Sequence, residues 1–153
     1  PTPEAMSKAT VPELLGYIKS VSYPNSKAQH LSAMSQMVVS KFQGEVPHTM
    51  EELTQLPGVG RKTANVVLAF AFQQPSMPVD THVFRVSNRL GLVKDATTPF
   101  EVEKQLVANI PVKYISTAHH WLLLHGRYVC TARKPHCEEC PFTEYCDYVK
   151  GTK

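Results

Sequence analysis

Cys130, Cys137, Cys140 and Cys146 follow the spacing C-x6-C-x2-C-x5-C and are the only cysteines in the chain. Four thiolates this close in sequence can wrap one metal centre, and ligand chemistry leaves both tetrahedral zinc and an iron–sulfur cluster open. A second group lies earlier, in Leu56-Pro57-Gly58-Val59-Gly60-Arg61-Lys62. Gly58 and Gly60 permit a tight turn that a β carbon would resist, and they leave backbone N–H groups uncovered at the start of the next helix. Such a terminus, with the positive end of the helix dipole and the Arg61 charge beside it, binds a phosphate and grips a nucleic-acid backbone without reading its bases. Lys62, in the first turn, can serve as another phosphate contact or as an amine nucleophile. Attack needs the neutral amine, which the helix terminus, Arg61 and partial burial of Lys62 are expected to favour. The third residue is Asp80, placed to cap a helix through backbone N–H bonds. A carboxylate there can also stabilise positive charge developing on a substrate that it faces.

The elements that must hold these residues are helical. Apolar residues recur at three- and four-residue steps, with few stretches of strict alternation, so the fold class is all-α. Leu14, Ile18 and Val21 share one helix face. Leu31, Met34, Val38 and Phe42 share another, which follows a turn at Tyr23-Pro24-Asn25 and is closed by Gly44. Thr49 with Glu52, and Thr98 with Pro99 and Glu101, have capping-box spacing and mark helix starts. A short helix over 50–55 runs into the glycine turn, and periodicity resumes from Arg61 through Ala64, Val67, Leu68 and Ala71. That order is helix, hairpin, helix. Pro75 and Pro78 break this helix, after which Val79, Val83, Val86 and Leu90 share a face closed by Gly91. Further helices are expected near 99–110 and 116–129. A boundary near Pro75 to Pro78 divides the chain into two lobes, 1–75 with the hairpin and 76–153 with Asp80 and all four cysteines.

Bulk properties fit this picture. The 153 residues can bury a real core, and no apolar run approaches the length of a bilayer span. Pro1 to Thr10 lack the charged start and apolar stretch of a signal peptide, so the expected location is cytoplasmic, at the nucleoid if the source is bacterial. Net charge is +3 and the isoelectric point about 8.7, which suits a polyanionic partner without requiring one. Cysteines gathered at one end of the chain argue for a metal site over a disulfide framework.

The motifs together resemble a known family. Leu56 through Asn65, reading LPGVGRKTAN, resembles the helix-hairpin-helix of the endonuclease III family. Val79-Asp80-Thr81-His82-Val83-Phe84-Arg85-Val86 resembles the family's catalytic aspartate motif, and the segment from His119-His120-Trp121 through His125-Gly126-Arg127 resembles its later helix. The resemblance implies a helix-hairpin-helix DNA glycosylase fold of two lobes, with a 4Fe-4S cluster held by Cys130, Cys137, Cys140 and Cys146 in a structural role. It also implies helices ahead of Pro1 that contribute to both lobes.

The activity it implies is that of a bifunctional DNA glycosylase and AP lyase of base excision repair, acting as a monomer on double-stranded DNA with a damaged base or an abasic site. Lys62 would attack C1′ of an oxidised pyrimidine nucleotide, with Asp80 facing it. The Schiff base formed would undergo β-elimination and cut the strand. Leu56, Gly58, Val59, Gly60 and Arg61 would hold the DNA backbone, and Arg133 and Lys134 would reach it from the loop between the first two cysteines. Arg85, Arg89 and Arg127 would widen the basic surface. Tyr23 takes the place of the side chain that fills the gap left by a flipped nucleotide, although the family often has an aliphatic residue there and a glycine where this chain has Ser22. An adenine-mismatch glycosylase shares these motifs but generally lacks the lysine, and a non-catalytic iron–sulfur DNA-binding protein would use the hairpin alone. His119, His120 and His125 read as packing or polar residues, because the step from His120 to His125 does not share a helix face.

Overall fold

The computed structural model describes residues 2–151, and all regular structure among them is helical. The helices are α1 (Pro3–Lys8), α2 (Val11–Ile18), α3 (Pro24–Phe42), α4 (Met50–Leu53), α5 (Arg61–Phe70), α6 (Thr81–Leu90), α7 (Pro99–Asn109), α8 (Ile115–Tyr128) and α9 (Asp147–Lys150), with 3-10 turns at Val112–Tyr114 and Cys137–Glu139. No helix among the described residues is long and apolar enough to cross a membrane. The chain divides into two compact units, Pro1–Ala64 and Asn65–Lys153, and the division falls inside α5.

In the first unit α1 and α2 pack on the long α3. Leu14, Ala28, Val38, Leu53, Leu56 and Ala64 are its buried apolar residues. α2 starts at a full capping box: the Thr10 hydroxyl accepts from the Glu13 amide, and the Glu13 carboxylate accepts from the Thr10 amide at 2.7 Å. Two sequence expectations are corrected here. Pro24 is the first residue of α3 and not part of a preceding turn, because proline's fixed φ and missing N–H cost nothing at that position. Val21 lies beyond the end of α2 and is exposed, so it does not extend that helix's apolar face.

In the second unit Met77, Val79, Val83, Val86, Val93, Val102, Leu106, Ile115, Ala118 and Leu122 form one buried cluster. Of the face read from the sequence, Val83 and Val86 form the inner side of α6, Leu90 packs partly buried against the cluster, and Val79 is buried just ahead of the helix. α7 begins at the expected capping box, with the Thr98 hydroxyl accepting from the Glu101 amide at 3.2 Å and Glu101 Oε2 accepting from the Thr97 and Thr98 amides at 2.7 and 2.9 Å. Those amides hold the Glu101 carboxyl below its usual range. At α4 the box is half formed: Thr49 still caps the Glu52 amide, but the Glu52 carboxylate takes the Thr49 hydroxyl and not its backbone.

The α7 cap gives a direct check. Thr98→Ala should lower stability by about 1 kcal/mol. A carboxyl whose folded-state pKa is depressed contributes above its unfolded pKa and loses that contribution as pH falls through the folded value. Glu101→Gln should therefore destabilise at neutral pH and have progressively less effect in acid. Thermal melts of the parent and both variants between neutral and acidic pH read both effects.

Candidate active site and metal centre

The hairpin belongs to the first unit. The Val59 amide donates to the Leu56 carbonyl at 3.0 Å and closes the turn, and the Ala64 amide donates to the Gly60 carbonyl at 3.0 Å as the first bond of α5. The amides between these two bonds are the ones a helix start cannot satisfy internally. Gly60 and Lys62 in this stretch are exposed. The two glycines turn out to act differently. Gly58 has φ +78°, and a β carbon there would come within 2.8 Å of the His30 side chain, so both backbone conformation and packing exclude a side chain. Gly60 has no positive φ and nothing within 4 Å of a built β carbon, so its lack of a side chain leaves the amides open and is not a steric need of the fold.

Other residues expected at a DNA surface divide in the same way. Leu56 is only 4% exposed and its amide already donates to Leu53, so its side chain belongs to the core and its part is to shape the turn. Val59 is half-buried, whereas Arg61 and Lys62 are exposed. The partial burial expected for Lys62 is thus absent, because the start of α5 stands clear of the unit's core. Tyr23 is 82% exposed at the N-cap of α3 with φ +54°. A left-handed conformation in an aromatic residue is costly, and the loop holds it there with the ring in solvent.

Asp80 belongs to the second unit. Its Oδ1 accepts from the amides of His82 and Val83, both at 2.9 Å, as the N-cap of α6. Both cap bonds fall on one oxygen, leaving Oδ2 outside the cap. The segment just before it is fixed from behind: Met77, Pro78 and Val79 are buried, and the buried His119 ring meets the Pro78 carbonyl at 2.8 Å through Nδ1. His119 is therefore an anchor for the loop that presents Asp80, a role the sequence could not show across 41 residues.

Arg85 and Arg89, expected on a basic surface, face the other way. Arg85 donates to the carbonyls of Gly126 at 2.7 Å and Cys130 at 3.1 Å, and Arg89 to those of Thr131 at 2.7 Å and Ala132 at 3.0 Å. A loop without regular structure has carbonyls to satisfy, and the guanidinium fork does so from the side of α6. Arg133 and Lys134 remain exposed at the tip of that loop, and Arg127 is exposed on α8.

The four cysteines are free and line one hollow together with Leu90, His125, Val129 and Thr143. Cys130 and Cys146 are buried, while Cys137 and Cys140 are partly exposed. Burial, and then the neighbouring Cys130, Cys146 and Cys140 sulfurs, push the Cys137 thiol up. Thiolates crowded in this way call for a multivalent cation among them. Four sulfurs around a shared hollow are a donor set that fits an iron–sulfur cluster, as it would a tetrahedral zinc ion. His125, read from the sequence as a packing or polar residue, is part of this hollow, with Nε2 3.7 Å from the Cys140 sulfur. The 15 residues separating the two conceal that contact in the sequence.

Comparison with known proteins agrees with this geometry. Residues 1–111 match the HhH-GPD superfamily of base excision DNA repair proteins, and residues 130–146 match the iron-sulfur binding domain of endonuclease III. Endonuclease III of Rickettsia conorii is 52% identical over 152 residues, covering 99% of this chain and 72% of that protein. Endonuclease III of Escherichia coli K12 is 44% identical over 147 residues, covering 96% and 69%. A trapped endonuclease III–DNA covalent intermediate superposes with a TM-score of 0.91 at 42% identity, covering 99% of this chain and 71% of that one. Fold and site thus define a helix-hairpin-helix DNA glycosylase of base excision repair. Within that superfamily the chain belongs to the endonuclease III family, and its cofactor is a 4Fe-4S cluster.

The different status of the two hairpin glycines is testable in the protein without DNA. Gly58→Ala should lose about 1–2 kcal/mol from the left-handed backbone alone, with the His30 clash adding to it. Gly60→Ala should melt within about 0.5 kcal/mol of the parent, as for a surface change touching nothing. Equal destabilisation by both would contradict the assignment.

Proposed function

We propose that this chain is a bifunctional DNA glycosylase and AP lyase that removes oxidised pyrimidines and cuts the strand at the resulting abasic site. The observation that carries this reading is Lys62: an exposed primary amine in the first turn of α5, directly after the hairpin. A lysine there meets a nucleotide whose phosphate the helix start has already positioned. The family and the trapped covalent intermediate among its solved relatives support a covalent route.

In this route Lys62 Nζ forms a bond to C1′, the glycosidic bond breaks, and the base leaves with its electron pair and takes up a proton. The sugar ring opens as the C1′–O4′ bond breaks, giving a Schiff base on Lys62. Loss of the C2′ proton then expels the 3′ phosphate, and hydrolysis returns the free lysine. Asp80, with Oδ2 outside its cap, stabilises the positive charge developing at C1′ and takes the proton that the attacking amine must lose. Such a carboxylate does both jobs only if the cap keeps it in place, so the structural and chemical roles of Asp80 are one arrangement.

The substrate is double-stranded DNA. Gly58, Val59, Gly60 and Arg61 grip its backbone at the α5 start, and Arg133 and Lys134 approach it from the cysteine loop. Because C1′ is inaccessible in a stacked duplex, the nucleotide is rotated out, and the exposed Tyr23 ring stacks into the gap. Cys130, Cys137, Cys140 and Cys146 ligate the cluster, which shapes the loop and takes no part in the bond changes. The reaction takes place in the cytoplasm, at the nucleoid if the source is bacterial, with one chain acting as a monomer.

Two substitutions separate the roles. Lys62→Ala should abolish incision of an oligonucleotide carrying an oxidised pyrimidine while the melt stays at the parent value. Asp80→Asn keeps an effective N-cap but removes the charge, and should slow incision about 10²- to 10⁴-fold without loss of α6. Parent-like incision by Lys62→Ala in a gel assay would remove the lyase reading, and parent-like incision by Asp80→Asn would remove the charge role.

A further inference from the structure

His125 has no part in the reaction above, yet it stands where it can act on the cofactor. It lies on α8, lines the cysteine hollow and places Nε2 3.7 Å from the Cys140 sulfur. The Phe142 ring packs edge-on against it, with centroids 5.3 Å apart. It also lines an apolar groove together with Leu90 and Leu122. A neutral imidazole has one N–H, and which nitrogen carries it is decided by the partners.

The cluster decides it. A free thiol could donate its proton to Nε2, but a thiolate bound to iron has only lone pairs to offer. Contact between that sulfur and Nε2 is then a hydrogen bond only when the ring nitrogen is the donor. We infer that His125 is a positioning residue for the cluster, whose Nε2–H donates to the Cys140 sulfur, draws electron density from it and favours the reduced form. Hydrogen bonds to ligand sulfurs are among the main controls of iron–sulfur potentials. Arg89 Nη1 approaches the Cys130 sulfur at 3.5 Å, but its guanidinium is anchored on the Thr131 and Ala132 carbonyls and so serves the loop as well. His125 offers the cleaner test, because its ring bond to sulfur can be removed while Phe keeps the contact with Phe142.

The inference rests on Cys140 being a ligand, which is checked first and separately. Cys140→Ser should change the visible absorption of the cluster or lower its iron content, and a parent-like spectrum and iron content would remove the ligand assignment without touching His125. The main experiment measures the one-electron midpoint potential of the cluster-loaded chain by protein-film voltammetry. His125→Phe should raise the oxidised-to-reduced ratio at the parent midpoint about tenfold, equivalent to a shift of about 59 mV to lower potential. His125→Gln, which carries an amide donor, should recover most of that shift. A parent potential in loaded His125→Phe, or equal shifts in Phe and Gln, would overturn the inference. If His125→Phe fails to load, the nitrogen NMR of the parent's histidine rings decides: a protonated Nε2 in His125 upholds the donor, and a protonated Nδ1 with bare Nε2 overturns it.

Discussion

The packing of α6 on α8 at Gly126 is the constraint on which the second unit depends. A β carbon at Gly126 would lie 2.9 Å from both His82 Cβ and Val86 Cγ2, and 3.3 Å from His82 Cα. Only glycine lets the two backbones come this close. That approach brings the Gly126 carbonyl within 2.7 Å of Arg85 and lets Arg89 reach the carbonyls at 131 and 132. One short helix therefore has Asp80 as its N-cap and carries the inner face of the core at Val83 and Val86 and the clamps that hold the cysteine loop. A loop that binds a cluster has little apolar surface with which to fix itself, and here a neighbouring helix supplies the missing donors.

The first unit solves a different problem with different means. Its hairpin must expose backbone amides, which a protein normally hides in hydrogen bonds. Leu53 and Leu56 bury the approach to the turn, Gly58 takes the left-handed conformation over His30, and Gly60 adds no side chain beside the start of α5. Rigid support beneath an open backbone suits binding to phosphate, where position matters more than sequence. The exposure of Lys62 follows from the same design.

Much of this was legible in the sequence because it rests on local rules. The Thr98–Glu101 box, the proline start of α7, the cap at Asp80, the 79/83/86 face and the cysteine spacing each involve neighbours a few residues apart. What was not legible involves distance. Arg85 and Arg89 looked like surface charges because their carbonyl partners lie more than 40 residues away. His119 and His125 read only as packing or polar residues for the same reason, with Pro78 and Cys140 as unseen partners. Leu56 looked like part of a binding loop because motif spacing does not tell an exposed backbone from a buried side chain. Lys62 was placed correctly at the helix start, but its exposure depends on how α5 leaves the core, which periodicity does not report.

The central claim is that one particular amine forms the covalent bond to DNA. The measurement that addresses it most directly is peptide mapping after borohydride reduction of the protein with abasic DNA. Proteolysis and tandem mass spectrometry should find the reduced sugar remnant on Lys62 alone. An adduct on any other amine, or a fully folded protein that incises DNA without forming an adduct, would contradict the account.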